Sequence, residues 1–505
     1  MQKPKFYTYF FWGCLSLFTL FQLFCLAFST LELSGDEAHY WDWSRRLDWA
    51  YYSKGPLVAV CIYLSRIFFG DTEFAVRFPA LCFITCFSVI YYYFVKQNYG
   101  AKLAFWSWLA IRTTLIFIYQ GFIFTTDPLV SFFYLLAVMA FYNAVYGKSR
   151  WCWQVGFVAV GLGALAKYTI LILPCFVFLF LWLTPQQRWH LKQLNFGVAV
   201  ILGVLSLTPI LIWNVQHDWV NFAHNAGHII SQKGLEFKPR CFFEFLGGQL
   251  GVIGPCAFIG ILFALYYGCK EWLRGDIKAG LLFWTSFPLL AFCVLVSLFK
   301  SVYANWAMPS YISGSFLIVH LVDKYALLDR VKIFYLVNLF INLLFSLLVF
   351  LLIFGITLGI TGKYLPTKRL TGIKEVAQQT AHLIQSEFKD KSKEVIIATD
   401  RYMLSSLLAF YLPESDFIYN FFAGNRRMNQ FDIWGGWEQL KGKDILLVTK
   451  SLDSAWELQD EFEALEQIGE CPYIEVSLNR TIVYAPCFFI GYAYSGKPQV
   501  VPKTR

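Results

Sequence analysis

The sequence predicts an all-α polytopic membrane domain of about eleven spans over residues 1–362, followed by a small α/β domain over 363–505. Three observations carry that reading. Of 505 residues, 57% are hydrophobic and only 15% charged, where soluble domains carry roughly 25% charge. The apolar residues fall in blocks near the ~20 residues that a helix needs to cross a bilayer. From about Lys363 those blocks give way to shorter strand-like and helix-like stretches.

The first block, residues 6–31, has no charge. It exceeds a signal-peptide core of ~7–15 residues and more blocks follow, so it reads as an uncleaved first span. Further spans are expected at 77–95, 101–120, 128–147, 151–166, 168–184, 194–213, 244–268, 279–299, 305–322 and 332–360. The apolar stretch from Leu57 to Phe69 is too short to cross and reads as interfacial or re-entrant.

Lys and Arg set the orientation. Lys3 and Lys5, Lys96 and Lys102, Lys148 and Arg150, Arg188 and Lys192, Lys270, Arg274 and Lys278, then Lys324, Arg330 and Lys332 fall in alternate connections, which are therefore cytoplasmic. The loops at 32–76, 125–127, 214–243 and 300–304, and the C-terminal domain, then face outward. The basic loops give orientation alone. The net charge of +9 is spread over loops with no nucleic-acid pattern, and fits orientation and contact with anionic membrane lipids.

In the C-terminal domain, residues 373–388 carry one apolar helical face. Val395–Ala398 and Ile445–Val448 read as buried strands, and 402–411 and 453–467 as helices. Most of the 13 cysteines lie in apolar runs, where cysteine is a small hydrophobe. Cys471 and Cys487 are the exceptions, and a disulfide between them is left open by their spacing.

The chemistry-bearing residues gather in the predicted outward loops. Asp36-Glu37 follows the first span and opens a dense polar–aromatic segment with His39, Tyr40, Trp41 and Trp43, closed by Lys54-Gly55-Pro56. An acidic pair at a helix end is usually a solvated terminus. Here the same predicted face also carries Thr125-Thr126-Asp127-Pro128, Lys167 between two apolar runs, Trp213-Asn214-Val215-Gln216-His217, and Lys300 followed by Asn305-Trp306 and Tyr311. A lysine in such a place is costly unless it snorkels or meets an anion. Arg112 lies within a predicted span and reads as paired with an acid or a lipid phosphate, or as marking a shifted span. The histidines share no metal-site spacing.

Those segments resemble the GT-C glycosyltransferases, in the bacterial branch related to protein O-mannosyltransferases and the lipid A aminoarabinose transferase. Asp36-Glu37-Ala38-His39-Tyr40-Trp41 and Leu47-Asp48-Trp49-Ala50-Tyr51-Tyr52-Ser53-Lys54-Gly55-Pro56-Leu57 carry the resemblance. Thr126-Asp127-Pro128, Leu165-Ala166-Lys167-Tyr168-Thr169, Trp213 to His217 and Asn305 to Tyr311 support it over roughly residues 1–325. The resemblance implies a place in a bacterial inner membrane, a polyprenyl-phosphate-linked sugar donor, transfer with inversion outside the cytoplasm, a catalytic Asp36, and Lys54 near the donor phosphate. Gly55 departs from it, since relatives often have proline there, which would loosen the loop.

The expected reaction is attack by an acceptor on the anomeric carbon, with polyprenyl phosphate leaving. Asp36 would take the acceptor's proton. Glu37 would orient the acceptor or hold a cation. Lys54, Lys167, Lys300 and the Tyr311 hydroxyl would offset charge on the phosphate. His39, Tyr40, Asn305 and Trp306 would contact substrate. Asp127 is the candidate ligand for a divalent cation, with metal dependence left open. The acceptor, whether lipid, glycan or protein, is not legible. A lipid-linked glycan transporter without chemistry is the alternative, and would tend to place its charges near the midplane.

Overall fold

The computed structural model describes residues 3–147, 149, 151–229, 236–354, 370–388, 395–412, 417–421, 429–471, 474–476, 481–484 and 486–496. The expected domain boundary at 362–363 lies outside the described residues.

The chain opens with α1 (Lys3–Phe28), α2 (Gly35–Arg45), α3 (Leu57–Phe69) and α4 (Glu73–Tyr99). Next come α5 (Ala101–Arg112), α6 (Leu115–Gln120), α7 (Thr126–Val145), α8 (Cys152–Ala164), α9 (Ile172–Leu183), α10 (Leu194–Leu205), α11 (Thr208–Gln216) and α12 (Val220–Ile229). The helical part closes with α13 (Pro239–Ile253), α14 (Pro255–Leu273), α15 (Ile277–Ser297), α16 (Met308–Lys324) and α17 (Leu328–Ile353).

Among the described residues, six helices are long and apolar enough to cross a membrane: α1, α4, α7, α14, α15 and α17. A seventh results if α10 and α11, bent by 45°, count as one. The other expected spans are shorter or broken. The stretch 101–120 divides into α5 and α6. The stretch 244–268 runs across two helices, because Gly254 takes φ +86° and Pro255 has no N–H to continue the ladder. The short apolar stretch 57–69 is a 13-residue helix. Arg112 is buried between α1 and α5, where its guanidinium donates to the Gln22 side-chain carbonyl and lies 5.3 Å from the Phe18 ring centroid. Its observed side-chain partner is therefore an amide, and among the described residues no acid pairs with it.

The C-terminal residues form α18 (Ile373–Glu387), α19 (Tyr402–Tyr411) and strands β1 (Ile396–Thr399), β2 (Tyr419–Asn420), β3 (Ile445–Thr449), β4 (Ala464–Gln467), β5 (Ile474–Val476), β6 (Thr481–Tyr484) and β7 (Cys487–Tyr492). Five strands make one sheet in the order β2-β1-β3-β7-β4. β1 is parallel to β2 and β3, while β7 is antiparallel to β3 and β4. β5 and β6 pair separately. The expected helix at 453–467 stops early: Leu452–Trp456 is helical, and Ala464–Gln467 is the edge strand β4. Its Leu465 alone is buried while its neighbours are exposed, a burial pattern too short to stand out from a helical one. Cys471 and Cys487 form a disulfide.

The sheet domain is seated on the first loop. Glu32 accepts the Ile373 N–H at 2.6 Å and the Lys374 N–H at 3.3 Å, placing a carboxylate on the exposed donors of the α18 N-terminus. The Tyr411 hydroxyl accepts the Leu33 N–H at 2.8 Å and donates to Glu73 at 2.6 Å. Lys374 pairs with Glu73 at 2.9 Å. These contacts fix the chain on both sides of α2.

Candidate active site

Ser34 starts α2 with a capping box. Its hydroxyl accepts the Glu37 N–H at 3.2 Å, and the Glu37 carboxylate accepts the Ser34 N–H at 2.9 Å. Asp36 and Glu37 thus occupy the first helical turn, a favourable place for carboxylates. Successive positions on a helix point apart, and the two acids part accordingly. Asp36 is exposed, whereas Glu37 is fully buried.

Glu37 has a different place from the expected one. The Arg77 Nε donates to it at 2.9 Å and a terminal guanidinium nitrogen at 3.2 Å, and the Phe124 N–H reaches it at 3.3 Å. Arg77 also donates to the carbonyls of Leu31, at 2.9 Å, and Glu32, at 2.6 Å. Its oxygens are occupied, so Glu37 holds the frame that aims Asp36 and does not face a substrate or cation. Arg77 was absent from the expected site. Its signal was a lone arginine inside an apolar run, where an arginine calls for a buried acid.

The closing segment of the first loop lies against Leu165-Ala166-Lys167. The Leu57 N–H donates to the Leu165 carbonyl at 3.1 Å. A methyl on Gly55 would come within 2.3 Å of that carbonyl oxygen. Gly55 therefore permits a close approach here and does not loosen the loop.

This contact brings two lysines together. Lys167 pairs with Asp127 at 2.8 Å, and the Asn305 side-chain amide donates to the other Asp127 oxygen. Burial and the nearby Lys167 push the Lys54 ammonium down to about 8, against the pull of Asp127 and Asp36. Among the described residues, no hydrogen bond or ion pair reaches the Lys54 ammonium. Tyr40, buried on α2, feels the charges of Asp36 and Asp127, and burial first of all drives its phenol well above its ordinary value. Asp36, Tyr40, Lys54, Asp127, Lys167 and Asn305 thus form one cluster from four separate segments.

The other expected residues fall elsewhere. His39 is buried against the Tyr402 ring at 4.9 Å and the Phe431 ring at 5.8 Å, with Nδ1 3.0 Å from the Ser406 hydroxyl. Burial lowers its imidazole to about 3. It is a neutral seat for the sheet domain and not a substrate contact. Tyr311 is 3% exposed and donates to Gln249. It lines a separate apolar cavity of about 810 Å³ between α5, α14, α16 and α17, so its hydroxyl is already engaged away from the lysines. Trp306 is half-buried beside Asn305. Lys300 lies just beyond α15, its N–H bonded to the Val296 carbonyl.

Asp127 is the one expected metal ligand. Two lysines act on it, both its oxygens are engaged, and the described residues contain no group of three His, Cys, Asp or Glu side chains able to hold a metal ion. This donor set suits an anion better than a cation.

Trp213 joins the outer shell. Its indole N–H donates to Asp48 at 2.8 Å, and its ring stacks on His217 at 4.0 Å. The Asn225 amide donates to the Ser53 carbonyl at 3.2 Å. The 213–225 stretch therefore braces the loop that carries Lys54.

A family model described as dolichyl-phosphate-mannose-protein mannosyltransferase matches residues 53–213. That match begins at the Lys54 segment and ends at Trp213, enclosing both lysines and Asp127. Over that stretch the chain is similar to this mannosyltransferase family. Among similar proteins, lipid A galacturonosyltransferase RgtD of Rhizobium johnstonii is 30% identical over 305 residues, 60% of this chain and 63% of that one. Undecaprenyl phosphate-alpha-4-amino-4-deoxy-L-arabinose arabinosyl transferase 2 of Sodalis glossinidius is 25% identical over 331 residues, 59% and 57% of the two chains. The chain thus spans less than two thirds of the length of these relatives. The fold matches solved ArnT from Cupriavidus metallidurans, both apo and bound to undecaprenyl phosphate. In each case the TM-score is 0.62 at 14% identity, over 97% of this chain and 99% of that one.

Proposed function

We propose that this chain is an integral-membrane glycosyltransferase that moves a sugar from a polyprenyl-phosphate-linked donor to an acceptor, with inversion. One observation carries the reading: an exposed carboxylate, Asp36, opens a braced helix beside the Lys54–Lys167–Asp127 cluster. The acceptor hydroxyl attacks the anomeric carbon, and the bond from that carbon to the phosphate oxygen breaks. The proton passes to the Asp36 carboxylate, and the charge left on the phosphate is met by Lys54 and Lys167. Lys300 adds charge from the end of α15. Tyr40 and Trp306 contact the sugar, and Asn305 keeps Asp127 turned toward Lys167.

The substrates follow the relatives' names. An undecaprenyl phosphate carrier is named for the arabinosyl transferase and is bound in one ArnT structure. A lipid A acceptor is named for RgtD. Mass spectrometry of lipid A, envelope glycans and exported proteins, with and without this chain, tests both. Loss of one sugar mass from lipid A is expected. Unchanged lipid A with loss from another acceptor would reassign the acceptor, and no loss anywhere would sink the reading.

We further place the reaction at the outer face of the inner membrane, with eleven crossings and the domain from residue 363 outside. The alternating basic loops support this, and so does the Cys471–Cys487 disulfide, since disulfides persist in oxidising compartments. Cysteines introduced at the exposed positions Leu47 and Glu438 are expected to react with an impermeant maleimide added to intact spheroplasts. Labelling only after the inner membrane is opened reverses the orientation.

The lowered Lys54 ammonium gives a pH prediction. In the free protein Lys54 is charged below about 8 and loses its proton above it. Donor-phosphate affinity is therefore full below that value and falls as pH rises through it. Lys54→Ala should weaken donor binding by roughly 10–100-fold at pH 7 and flatten the profile. Undecaprenyl phosphate titrations from pH 6 to about 9.5 check this, and an unaltered slope in Lys54→Ala removes the lysine from the site.

A further inference from the structure

The sheet domain holds a second cavity, of about 390 Å³, within the ~300–1,000 Å³ typical of small-molecule sites. Its place in the fold is specific. β1 runs through α19 to β2 on one side, and the chain then crosses to β3 on the other side of β1. The gap beyond the carboxyl ends of β1 and β3 is the switch point at which open α/β sheets bind ligands. The cavity lies there, lined by residues that follow each of the three parallel strands.

Its polar groups are Asp400, Arg401, Asn420, Asn429, Ser454 and Glu457. Asn420 and Asn429 are buried and back the wall, the Asn429 amide donating to the Asn420 side-chain carbonyl at 3.0 Å, while the carboxylates and the guanidinium are planar groups that bond paired hydroxyls two at a time. The Tyr402 and Phe421 rings add flat apolar surface. The charges are mixed, with two acids and one arginine. The turn after β1 reads Thr399-Asp400-Arg401-Tyr402, with no glycine to admit a phosphate to the backbone. This chemistry fits a saccharide better than a nucleotide or a free phosphate.

The cavity also adjoins the candidate site. The ring of Tyr402 packs on His39 at 4.9 Å, and the phenol feels the charge of Asp36. Met403, another wall residue, packs so close to Gly35 that a methyl there would meet its Cβ at 2.8 Å. One wall of the cavity thus rests on the first turn of α2, which carries Asp36.

We propose that this cavity, at the β1–β3 switch point and seated on the Asp36 turn, binds the saccharide head group of the acceptor glycolipid. The inference rests on the transferase reading above. The sheet domain then serves as the acceptor-reading part of the enzyme, holding one sugar while a hydroxyl of the same head group reaches Asp36.

The test uses the full chain in nanodiscs, with a β-linked glucosamine disaccharide as probe and saturation-transfer NMR as readout. Arg401→Gln with Glu457→Gln is the informative variant, because both side chains are exposed and their loss leaves the fold intact. Thermal melting checks that. The disaccharide is expected to bind the unaltered chain and to bind the double variant at least ~10-fold more weakly, as for loss of two charged hydrogen-bonding groups. Lipid A placed in the nanodisc is expected to displace it. Equal affinity in the variant, no binding at millimolar probe, or probe and lipid A bound together without displacement would each overturn the proposal. Undecaprenyl phosphate binding and sugar transfer, measured in parallel, report on the transferase reading separately: their absence in the unaltered chain sinks that reading and leaves the saccharide result standing.

Discussion

Asp36→Asn should lose sugar transfer by at least ~100-fold while the protein still inserts, folds and binds undecaprenyl phosphate. The side chain is exposed in the first turn of α2, where loss of its charge costs the fold little. The amide keeps size and hydrogen bonding but cannot accept a proton from the acceptor hydroxyl. Donor binding depends on Lys54 and Lys167 and stays. The assay is single-turnover transfer from an undecaprenyl-phosphate sugar, with donor binding measured on the same preparation. Near-normal turnover would move the base elsewhere, to Asp127 first. Asp127→Asn then becomes the decisive variant, although it also breaks the pair with Lys167. Near-normal turnover in both would favour a carrier of lipid-linked glycans that performs no chemistry.

Glu37→Ala is expected to be among the most damaging single changes to stability. It strands the Arg77 guanidinium, which is 1% exposed, without its counter-charge. Removing one partner of a buried pair costs about 3–5 kcal/mol. The change also removes half of the capping box and the acceptor for the Phe124 N–H. Glu37→Gln should do less harm, because the amide oxygen can still accept. Arg77→Ala should match the alanine variant, since it abandons Glu37 and the carbonyls of Leu31 and Glu32 together. Fluorescence-detected size exclusion after graded heating reads the loss of folded protein. An unchanged melting profile for Glu37→Ala would refute the structural role and return Glu37 to the substrate.

What was legible in the sequence follows from how far apart the partners lie. Asp36, Lys54, Asp127, Lys167 and Asn305 stand out because each interrupts or borders an apolar run, where a polar side chain needs a reason. Their convergence is an inference from topology, and the structure adds the contacts. Glu37 looked like Asp36's twin because its partner, Arg77, is buried a whole loop away. His39 looked like a substrate contact because Ser406 and Tyr402 come from the far end of the chain. Periodicity has no access to such pairings. The break at Gly254–Pro255 is different: both residues are breakers, and hydropathy averaging passed over them. The eleven expected spans rest on that averaging, while among the described residues six single helices have the length and apolarity to cross.

The carboxylate of Glu32 accepts from the first turn of α18, while the hydroxyl of Tyr411 ties Leu33 to Glu73. Such a seat limits modular exchange. A chimera that grafts a relative's sheet domain onto this membrane half would inherit a mismatched socket unless residues 32–42 and Glu73 travelled with it. The graft would then disturb the very turn that carries Asp36. New acceptor specificity is therefore expected to arise by substitutions within a retained domain more readily than by wholesale replacement, with the seat and the reader inherited as one unit.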